Sequence, residues 1–482
     1  MTSSPGSFFA LVFLAAASPL AGLSAAPEKP NLLFLFADDQ CFQSIHSLNN
    51  DEIETPNLDR LVARGVTFTH AYNMGSWSGA VCVASRSMLN TGRFLWHAQS
   101  LWKDKGIVEQ YQDKNRLWPQ RLAVEGYETY FTGKWHVKAD AAIAFTHARN
   151  VRGGMPRQTE AGYNRPLADT EDPWDPSDPQ FGGFWEGGTH WSEVVGNDAL
   201  DFLGMAADSD KPFFMYIAFN APHDPRQSPA EYVRKYPLEN VQVPASYLPE
   251  YPYNEEMRSG RELRDERLAP FPRTEHAIKV HRQEYYAIIT HMDAQVGRIL
   301  DALEASDMAE NTYIFFSADH GLAVGHHGLM GKQNMFDHSV RVPLMVVGPE
   351  IPAQKEISAP VYLQDIMATT LDLGTGTVPD SVEFKSLLPL IRGESRHSYD
   401  AIYGAYLDGQ RAVTRDGFKL ILYPRVPVAL LFNLEKDPQE MQDLADDPAS
   451  RPIMKALFSS LRKLQEETGD ELDLVAAYPE LL

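Results

Sequence analysis

Four strand-like runs of the chain each end at polar residues. They span residues 31–36, 127–132, 213–219 and 313–317. The first, third and fourth are almost continuously apolar, which is typical of strands buried on both faces of a parallel sheet. From Tyr285 to Leu303, apolar side chains recur at helical spacing and predict a long helix directly before the fourth strand. This alternation predicts an α/β fold with a large, mostly parallel sheet flanked by helices.

The polar residues at the ends of these strands are the first candidates for a site. They are Asp38 and Asp39, the segment Gly133-Lys134-Trp135-His136, His223, and the pair Asp319 and His320. In open α/β sheets, ligands bind beyond the carboxyl ends of the strands. We therefore expect these side chains to lie close together.

The pattern changes after residue 348. Short strand-like runs at 401–406, 410–414 and 418–423 are separated by the turn signals Asp408-Gly409 and Asp416-Gly417, and a helical pattern follows at 453–468. We interpret this as a smaller C-terminal α+β subdomain, residues 386–482, built on a short antiparallel sheet. The catalytic domain would then occupy residues 27–385.

The N-terminal residues 1–26 are typical of a secretory signal peptide. An apolar run reaches Leu23 and is followed by the small residues Ser24-Ala25-Ala26. The pattern predicts export to the periplasm or the extracellular space. No later apolar run is long enough for a transmembrane helix, so we expect no membrane partner.

Charge narrows the partners further. The 482 residues include 43 basic and 65 acidic side chains, a net charge of -22. Nucleic acids and anionic membranes attract positive surfaces, so neither is an expected partner. An anionic substrate would require a local positive site inside an acidic surface.

Cys41 and Cys82 are the two cysteines of the chain. Around Cys82, apolar residues fall at helical spacing, which predicts that Cys82 lies near a helix start. Met88 stands where a cysteine-based phosphatase loop would need an arginine, which excludes that class. An ordinary buried thiol and a Cys41–Cys82 disulfide remain alternatives.

The segment Cys82-Val83-Ala84-Ser85-Arg86, together with Thr91-Gly92-Arg93 and the strand-end residues in this order, resembles the type I sulfatases of the alkaline-phosphatase-like superfamily. Ala84 departs from the commonest form of the signature, which has proline. The resemblance implies that a maturation enzyme oxidises Cys82 to formylglycine, whose hydrated form attacks the sulfur of a sulfate ester.

The resemblance also assigns roles to the other motif residues. The metal ligands would be Asp38, Asp39, Cys82, Asp319 and His320, with calcium as the cation. Sulfuryl oxygens would be neutralised by Arg86, Lys134 and Lys332. His136 would hold or deprotonate the nucleophile, and His223 would protonate the leaving alcohol, with Lys332 nearby.

Other hypotheses stay open at this point. His320, His326 and His327 could form a zinc site instead. A phosphomonoester or phosphonate hydrolase of the same superfamily, or a non-catalytic saccharide-binding protein, would share the fold. Two insertions, residues 139–190 and 224–275, are rich in aromatic residues and arginines and suit a saccharide-binding wall. Together with the expected export and the resemblance to sulfatases, these insertions favour a sulfated carbohydrate as the substrate.

Overall fold

The computed structural model describes residues 1–4, 6, 29–168 and 170–482. Most of the expected signal peptide, residues 1–26, lies outside the described residues. Of the helices in these ranges, none has the length and apolar character needed to cross a bilayer. The expected boundary near residue 385 remains a prediction.

Within the described residues, sixteen strands form three sheets. The strands are β1 Asn31–Ala37, β2 Val66–Phe68, β3 Ala71–Tyr72, β4 Gly75–Ser76, β5 Glu128–Lys134, β6 His147–Arg152, β7 Phe213–Ala218, β8 Thr312–Ala318, β9 Arg341–Val342, β10 Leu344–Val347, β11 Lys355–Ile357, β12 Val361–Tyr362, β13 Ile402–Tyr406, β14 Gln410–Arg415, β15 Phe418–Tyr423 and β16 Val428–Asn433.

The main sheet has eight strands in the order β11-β2-β10-β8-β1-β7-β5-β6. Only β10 runs antiparallel to its neighbours β8 and β2. The four strands predicted from the sequence, β1, β5, β7 and β8, are adjacent and parallel, and Leu33 of β1 pairs with Met215 on one side and Ile314 on the other. The predicted α/β fold class is therefore confirmed.

Twelve α-helices surround these sheets in the ranges that the structure describes. They are α1 Pro56–Arg64, α2 Val81–Thr91, α3 Leu95–Lys103, α4 Trp118–Val124, α5 Ala141–Ala144, α6 Trp191–Ala207, α7 Ala230–Val233, α8 Glu275–Glu304, α9 Asp337–Val340, α10 Asp365–Thr375, α11 Leu388–Ile391 and α12 Arg451–Thr468. The predicted helix before β8 is α8, which packs against α1 and α6. Every residue of β1, β7 and β8 is buried, because helices and loops cover both faces of the sheet.

The segment 139–190 is not wholly an insertion outside the sheet. Its residues His147–Arg152 form β6, the edge strand that pairs in parallel with β5. The sequence of β6 is polar because an edge strand is only partly covered, and three of its six residues are exposed. Hydrophobic patterning therefore missed this strand.

Strands β13 to β16 of the C-terminal sheet pair in antiparallel fashion. The sequence predicted an antiparallel sheet of the first three of these strands but did not predict β16. The fifth strand of the sheet is β4, which comes from the N-terminal half and pairs in parallel with β13. Gly75 begins β4 at φ +94°, and a side chain there would overlap the carbonyl oxygen of Ala405. The short strand thus needs glycine to reach the C-terminal sheet.

A buried ion cluster joins this sheet to the main domain; we call Asp337, Arg341, Lys419 and Glu440 the junction cluster. Lys419 on β15 pairs with Asp337 on α9 and with Glu440, whose carboxylate lies 2.7 Å from the Lys419 Nζ atom. Arg341 contacts the other oxygen of Asp337 at 3.5 Å.

Candidate active site

The strand ends meet as the parallel sheet requires. Asp38 follows β1, and its backbone N–H donates to the carbonyl oxygen of Ala221, just after β7, at 3.0 Å. Asp319 follows β8, and its N–H donates to the carbonyl oxygen of Ala37 at 3.2 Å. Backbone hydrogen bonds between neighbouring strand ends therefore fix the positions of the acidic side chains.

Unusual backbone conformations concentrate at these ends. Asp39 and His136 have φ values of 72° and 54°, in the left-handed region that few non-glycine residues adopt. Gly133 has φ +95°, and a Cβ atom there would overlap the carbonyl oxygen of Ala218 on the neighbouring strand. Gly133 thus allows β5 to lie close to β7 directly before Lys134.

Cys82 lies at the centre of the site. It is the second residue of α2, as the helical spacing predicted, and 2% of its surface is exposed. Its Sγ atom lies 3.2 Å from Asp38 Oδ1, 3.6 Å from Asp39 Oδ1 and 3.2 Å from the Nζ atom of Lys332.

Three buried cations pair with the three acids around Cys82, and we call these six residues the catalytic cluster. Lys134 pairs with Asp38. Lys332 lies 2.6 and 2.5 Å from the two carboxylate oxygens of Asp39. Arg86 donates from Nε to Asp319 at 2.8 Å and from a terminal nitrogen to the carbonyl oxygen of Lys134 at 2.6 Å.

Burial and these pairs shift the pKa values of the cluster. Burial, followed by the nearby Asp319 and Asp38 carboxylates, raises the pKa of the Cys82 thiol well above its usual range. Burial alone would raise the pKa of Asp319 as well, but Arg86, Lys134 and Lys332 outweigh it and lower that pKa. In this environment Cys82 is a protonated thiol and Asp319 is a carboxylate at neutral pH.

The same residues fit a hard divalent cation. Ligand atoms of Asp38, Asp39, Cys82 and His223 all lie within 4.8 Å of one another. The side chain of Asp319 also reaches this group, because it accepts the backbone N–H of Asp39 at 3.1 Å. His320, the next residue, has a buried Nε2 atom without a hydrogen-bond partner among the described residues. Carboxylate oxygens are the ligands that calcium prefers.

The sequence hypothesis of a zinc site on three histidines has no support from the geometry. His326 hydrogen bonds to Ser246, and His327 to the carbonyl oxygen of Glu440. In the part of the chain that the structure describes, no set of three ligand atoms that includes both His326 and His327 lies within 4.8 Å.

His136 and His223 both line a cavity of about 420 Å³ whose wall includes Cys82. Burial, then the charges of Lys134 and Arg86, lowers the pKa of His136 to about 3, so this imidazole is neutral. The Nε2 atom of His223 lies 3.5 Å from Asp39, and its Nδ1 atom lies 3.1 Å from a carboxylate oxygen of Asp224.

A larger cavity of about 560 Å³ lies elsewhere and is lined by Cys41, Arg282, Tyr285 and His326 among others. Cys82, Lys134 and Lys332 do not line it. The hydroxyl of Tyr285 connects this cavity to the catalytic cluster, because it donates to the carbonyl oxygen of Asp39 and accepts from the backbone N–H of Cys41. Both cysteines are free thiols, so the disulfide alternative is wrong for this structure.

The eleven arginines of the two insertions have different surroundings. Arg165 and Arg273 are buried in ion pairs with Glu284 and Glu266. Others, such as Arg261, pair on the surface. Within the described residues, Arg264 is the one insertion arginine that lines the cavity containing Cys82. The expected wall of arginines is thus reduced to one side chain at the site.

Three residues at or beside this cavity were not predicted from the sequence: Gln333 and Asp265 line it, whereas Asp224 does not line it but contacts His223 at 3.1 Å. Asp224 directly follows His223, Gln333 directly follows Lys332, and Asp265 neighbours Arg264 in the second insertion. Adjacency to a motif residue was the available signal for the first two. Asp265 had none, because a single acid in a polar insertion is unremarkable by composition.

Family comparison agrees with this geometry. The family model described as sulfatase matches residues 30–377. The chain belongs to the sulfatase family. A second model, described as the C-terminal region of N-sulphoglucosamine sulphohydrolase, matches residues 325–467 of this sulfatase. The resemblance inferred from the motifs and the enzyme class, a sulfuric ester hydrolase, are both confirmed.

Individual relatives cover nearly the whole chain. An arylsulfatase of Clostridium perfringens is 28% identical over 94% of this chain and 98% of its own length. A solved structure in complex with its substrate, D-glucosamine-2-N,6-O-disulfate, has 21% identity and a TM-score of 0.69 over 92% of this chain and 99% of its own. The phosphonate monoester hydrolase of Silicibacter pomeroyi has 19% identity and a TM-score of 0.73 over 92% and 96%. Both structures share the fold.

Proposed function

We propose that this sulfatase releases inorganic sulfate from a sulfated carbohydrate, using a formylglycine made from Cys82 and one bound calcium ion. The observation that carries the proposal is the position of Cys82: buried between two carboxylates and Lys332 at the wall of a cavity of about 420 Å³. A relative solved with a disulfated glucosamine supports the carbohydrate.

Formylglycine and calcium would supply the chemistry that the unmodified side chains lack. The hydrated aldehyde at position 82 would supply a hydroxyl nucleophile for sulfur and a second hydroxyl from which the aldehyde is rebuilt as sulfate leaves, and calcium would polarise the sulfuryl oxygens. Asp38, Asp39, Asp319 and His320, with the modified residue 82, would hold the cation.

The chain's own residues then have separable tasks. Lys134 and Lys332 bring positive charge to the cavity wall, where they neutralise sulfuryl oxygens as charge develops. Arg86 has no surface in the cavity and acts by fixing Asp319 and the end of β5. His136, whose lowered pKa makes it a weak base, holds the nucleophile by accepting a hydrogen bond, and His223 protonates the leaving alcohol.

Two further expectations belong to the same proposal. A maturation enzyme must oxidise Cys82, and export through the signal peptide at residues 1–26 would bring the sulfatase to polysaccharides in the periplasm or outside the cell.

Peptide mass spectrometry of active protein tests the proposal directly. We expect the aldehyde or its hydrate at position 82, and specific activity that rises in proportion to the modified fraction. Cys82→Ala should be inactive in the same assay. Repeated turnover by protein that carries only the thiol would contradict the mechanism.

Kinetics on the sulfate, phosphate and phosphonate esters of one alcohol would distinguish a sulfatase from phosphonate hydrolases that share its fold. We expect kcat/KM for a sulfate monoester to exceed that for the phosphate monoester of the same alcohol. The opposite order would reassign the substrate class while leaving the nucleophile assignment intact.

A further inference from the structure

His223 and Lys332 both line the cavity that contains Cys82, and both contact Asp39. The Nε2 atom of His223 and the Nζ atom of Lys332 lie 3.5 and 2.5 Å from the same carboxylate oxygen of Asp39. His223 is the proposed acid for the leaving alcohol, and Lys332 is proposed to neutralise the sulfuryl oxygens, so both act at the sulfur–oxygen bond that breaks. Their relative position is therefore part of the catalytic geometry.

A second connection between these two side chains runs through the second insertion. It is a chain of ion pairs and hydrogen bonds that we call the bridge, formed by Asp224, Arg264, Asp265 and Gln333. Arg264 pairs with Asp224 through both terminal nitrogens and with Asp265 through one. Asp265 accepts from the side-chain amide of Gln333 at 2.6 Å, and the amide oxygen of Gln333 accepts the backbone N–H of Lys332 at 3.0 Å. One end of the bridge is thus Lys332.

Asp224 joins the other end of the bridge to His223. Its carboxylate and its backbone carbonyl oxygen lie 3.1 and 2.9 Å from the Nδ1 atom of His223. Both oxygens are acceptors, so Nδ1 carries a hydrogen and Nε2 is the nitrogen left to face the reacting groups. Burial alone would raise the pKa of the Asp224 carboxyl, but Arg264, followed by His223, holds that pKa well below its usual range. Asp224 is therefore an ionised acceptor that fixes the imidazole ring.

The exposure of the bridge residues limits what each can do. The side chains of Asp224 and Asp265 are 6% exposed, and that of Arg264 is 34% exposed. Asp224 does not line the cavity, so it can act on a substrate only through His223. Carboxylates engage both terminal nitrogens of Arg264, which holds the guanidinium in one orientation and favours a role in fixing Asp224.

We propose that Arg264 is a positioning residue for the proposed acid: by pairing with Asp224, it fixes the imidazole of His223 with Nε2 directed at the oxygen of the leaving alcohol. This inference rests on the proposed function, in which His223 protonates that oxygen. Because the bridge also ends at Lys332, the insertion at residues 224–275 sets the spacing between the acid and the neighbouring cation. The insertion thus contributes to catalysis through buried contacts that no strand-end motif contains.

Kinetics of Arg264→Gln on sulfate esters with different leaving groups test this role. The esters are 4-nitrophenyl sulfate, phenyl sulfate and glucosamine 6-sulfate, whose alcohols are progressively less acidic and need protonation more. We expect kcat to fall less than twofold on the first, about threefold on the second and about tenfold on the third, with each KM within twofold of the wild type. Equal losses of kcat, or a loss confined to a raised KM for glucosamine 6-sulfate, would overturn the positioning role.

A double-mutant cycle tests whether Arg264 acts through Asp224. Asp224→Asn should show the same dependence on the leaving group, and the variant with both changes should lose no more kcat on glucosamine 6-sulfate than Asp224→Asn alone. Losses that multiply would overturn the proposal. Arg264→Gln leaves Asp224 buried without its cation; where this prevents folding, the leaving-group dependence of Asp224→Asn and of the double variant decides the proposal.

Two further arginine variants serve as controls. Arg261→Gln changes an arginine of the same insertion that pairs with Glu250 on the surface, and it should leave kcat and KM within twofold on all three esters. Arg264→Lys keeps a charge beside Asp224 and should be about threefold more active on glucosamine 6-sulfate than Arg264→Gln, since an ammonium cannot reproduce the paired contacts of a guanidinium.

Nitrogen-15 NMR of histidine-labelled protein in calcium-containing buffer gives a readout without turnover, with the His223 signals identified by their loss in His223→Ala. We expect the Nδ1 signal of His223 to be that of a hydrogen-bonded N–H, and to shift in Arg264→Gln but not in Arg261→Gln. An unchanged signal in Arg264→Gln would overturn the inference even in an active enzyme. Absence of sulfate release from all three esters by fully modified wild-type protein would instead refute the proposed function, and the NMR result would still report the link between Arg264 and His223.

Discussion

The catalytic cluster and the junction cluster are built from the same parts but differ in their surroundings. Both place lysine, arginine and carboxylate groups in contact with one another, and Arg341 is the one member that is only partly buried. The catalytic cluster borders a cavity of about 420 Å³, whereas Lys419 of the junction cluster is enclosed between β15, α9 and Glu440. Access to a ligand, rather than the presence of buried ion pairs, distinguishes a reactive site from a structural one.

Replacing one acid in each cluster should separate these roles most strongly. We expect Asp319→Asn to lower kcat/KM at least 1000-fold and to reduce bound calcium, because it removes an anionic ligand and the partner of Arg86. Asp337→Asn should keep activity per folded molecule within twofold. Metal analysis and kinetics of both purified variants provide the measurement, and wild-type calcium content in Asp319→Asn would contradict the assignment.

Lys419→Met should destabilise the fold by about 3 kcal/mol, since it leaves the buried Glu440 without its cation and Asp337 with Arg341 alone. Urea unfolding followed by circular dichroism measures the change. Adding Glu440→Gln to this variant should restore part of the stability. A loss below 1 kcal/mol would mean that the junction cluster contributes little to holding the sheet.

His223→Ala should lower kcat about 100-fold on a sugar sulfate and less than tenfold on an aryl sulfate, because a good leaving group needs little protonation. The ratio of the two losses is the quantity to measure. Equal losses of kcat on the two substrates would mean that His223 positions the substrate and does not act as the acid.

Asp365 provides the smallest expected effect and a pH dependence. Burial raises its pKa from 3.8 to about 7, although it accepts hydrogen bonds from Tyr399 and from the backbone of Lys385. The fold therefore favours the protonated carboxyl; this contribution to stability is complete below pH 3.8 and is lost as the pH rises through 7. As the pH rises from 5 to 7, the free energy of unfolding of Asp365→Asn should increase relative to that of the wild type by at most about 1.4 kcal/mol per pH unit. Urea unfolding at several pH values measures this difference. A pH-independent difference would contradict the shift.

The buried parallel strands and the residues at their ends could be predicted from the sequence, because their local pattern depends on their place in the sheet. The apolar run before Asp38 predicted β1 because a strand buried on both faces must be apolar throughout. The same argument predicted the neighbouring strand ends and hence the proximity of Asp38, Lys134, His223 and Asp319.

Elements and residues whose positions depend on partners distant in sequence could not be predicted. The polar strand β6 and the two-residue strand β4 have no recognisable periodicity of their own. Asp265 is placed by Gln333 and Arg264, and no spacing in the chain encodes that contact. Edge strands and cavity-lining loops are therefore the parts that required the structure.

The pairing of β4 with β13 has a consequence for the order of folding during synthesis. Gly75 and Ser76 lie shortly before Cys82 in sequence, but their strand partners, Ala405 and Tyr406, emerge much later in translation. Until then the segment leading into α2 lacks its neighbour in the sheet, and the catalytic half cannot complete its wall around Cys82. A segment that is translated much later thus determines when the segment leading into Cys82 gains its partner in the sheet.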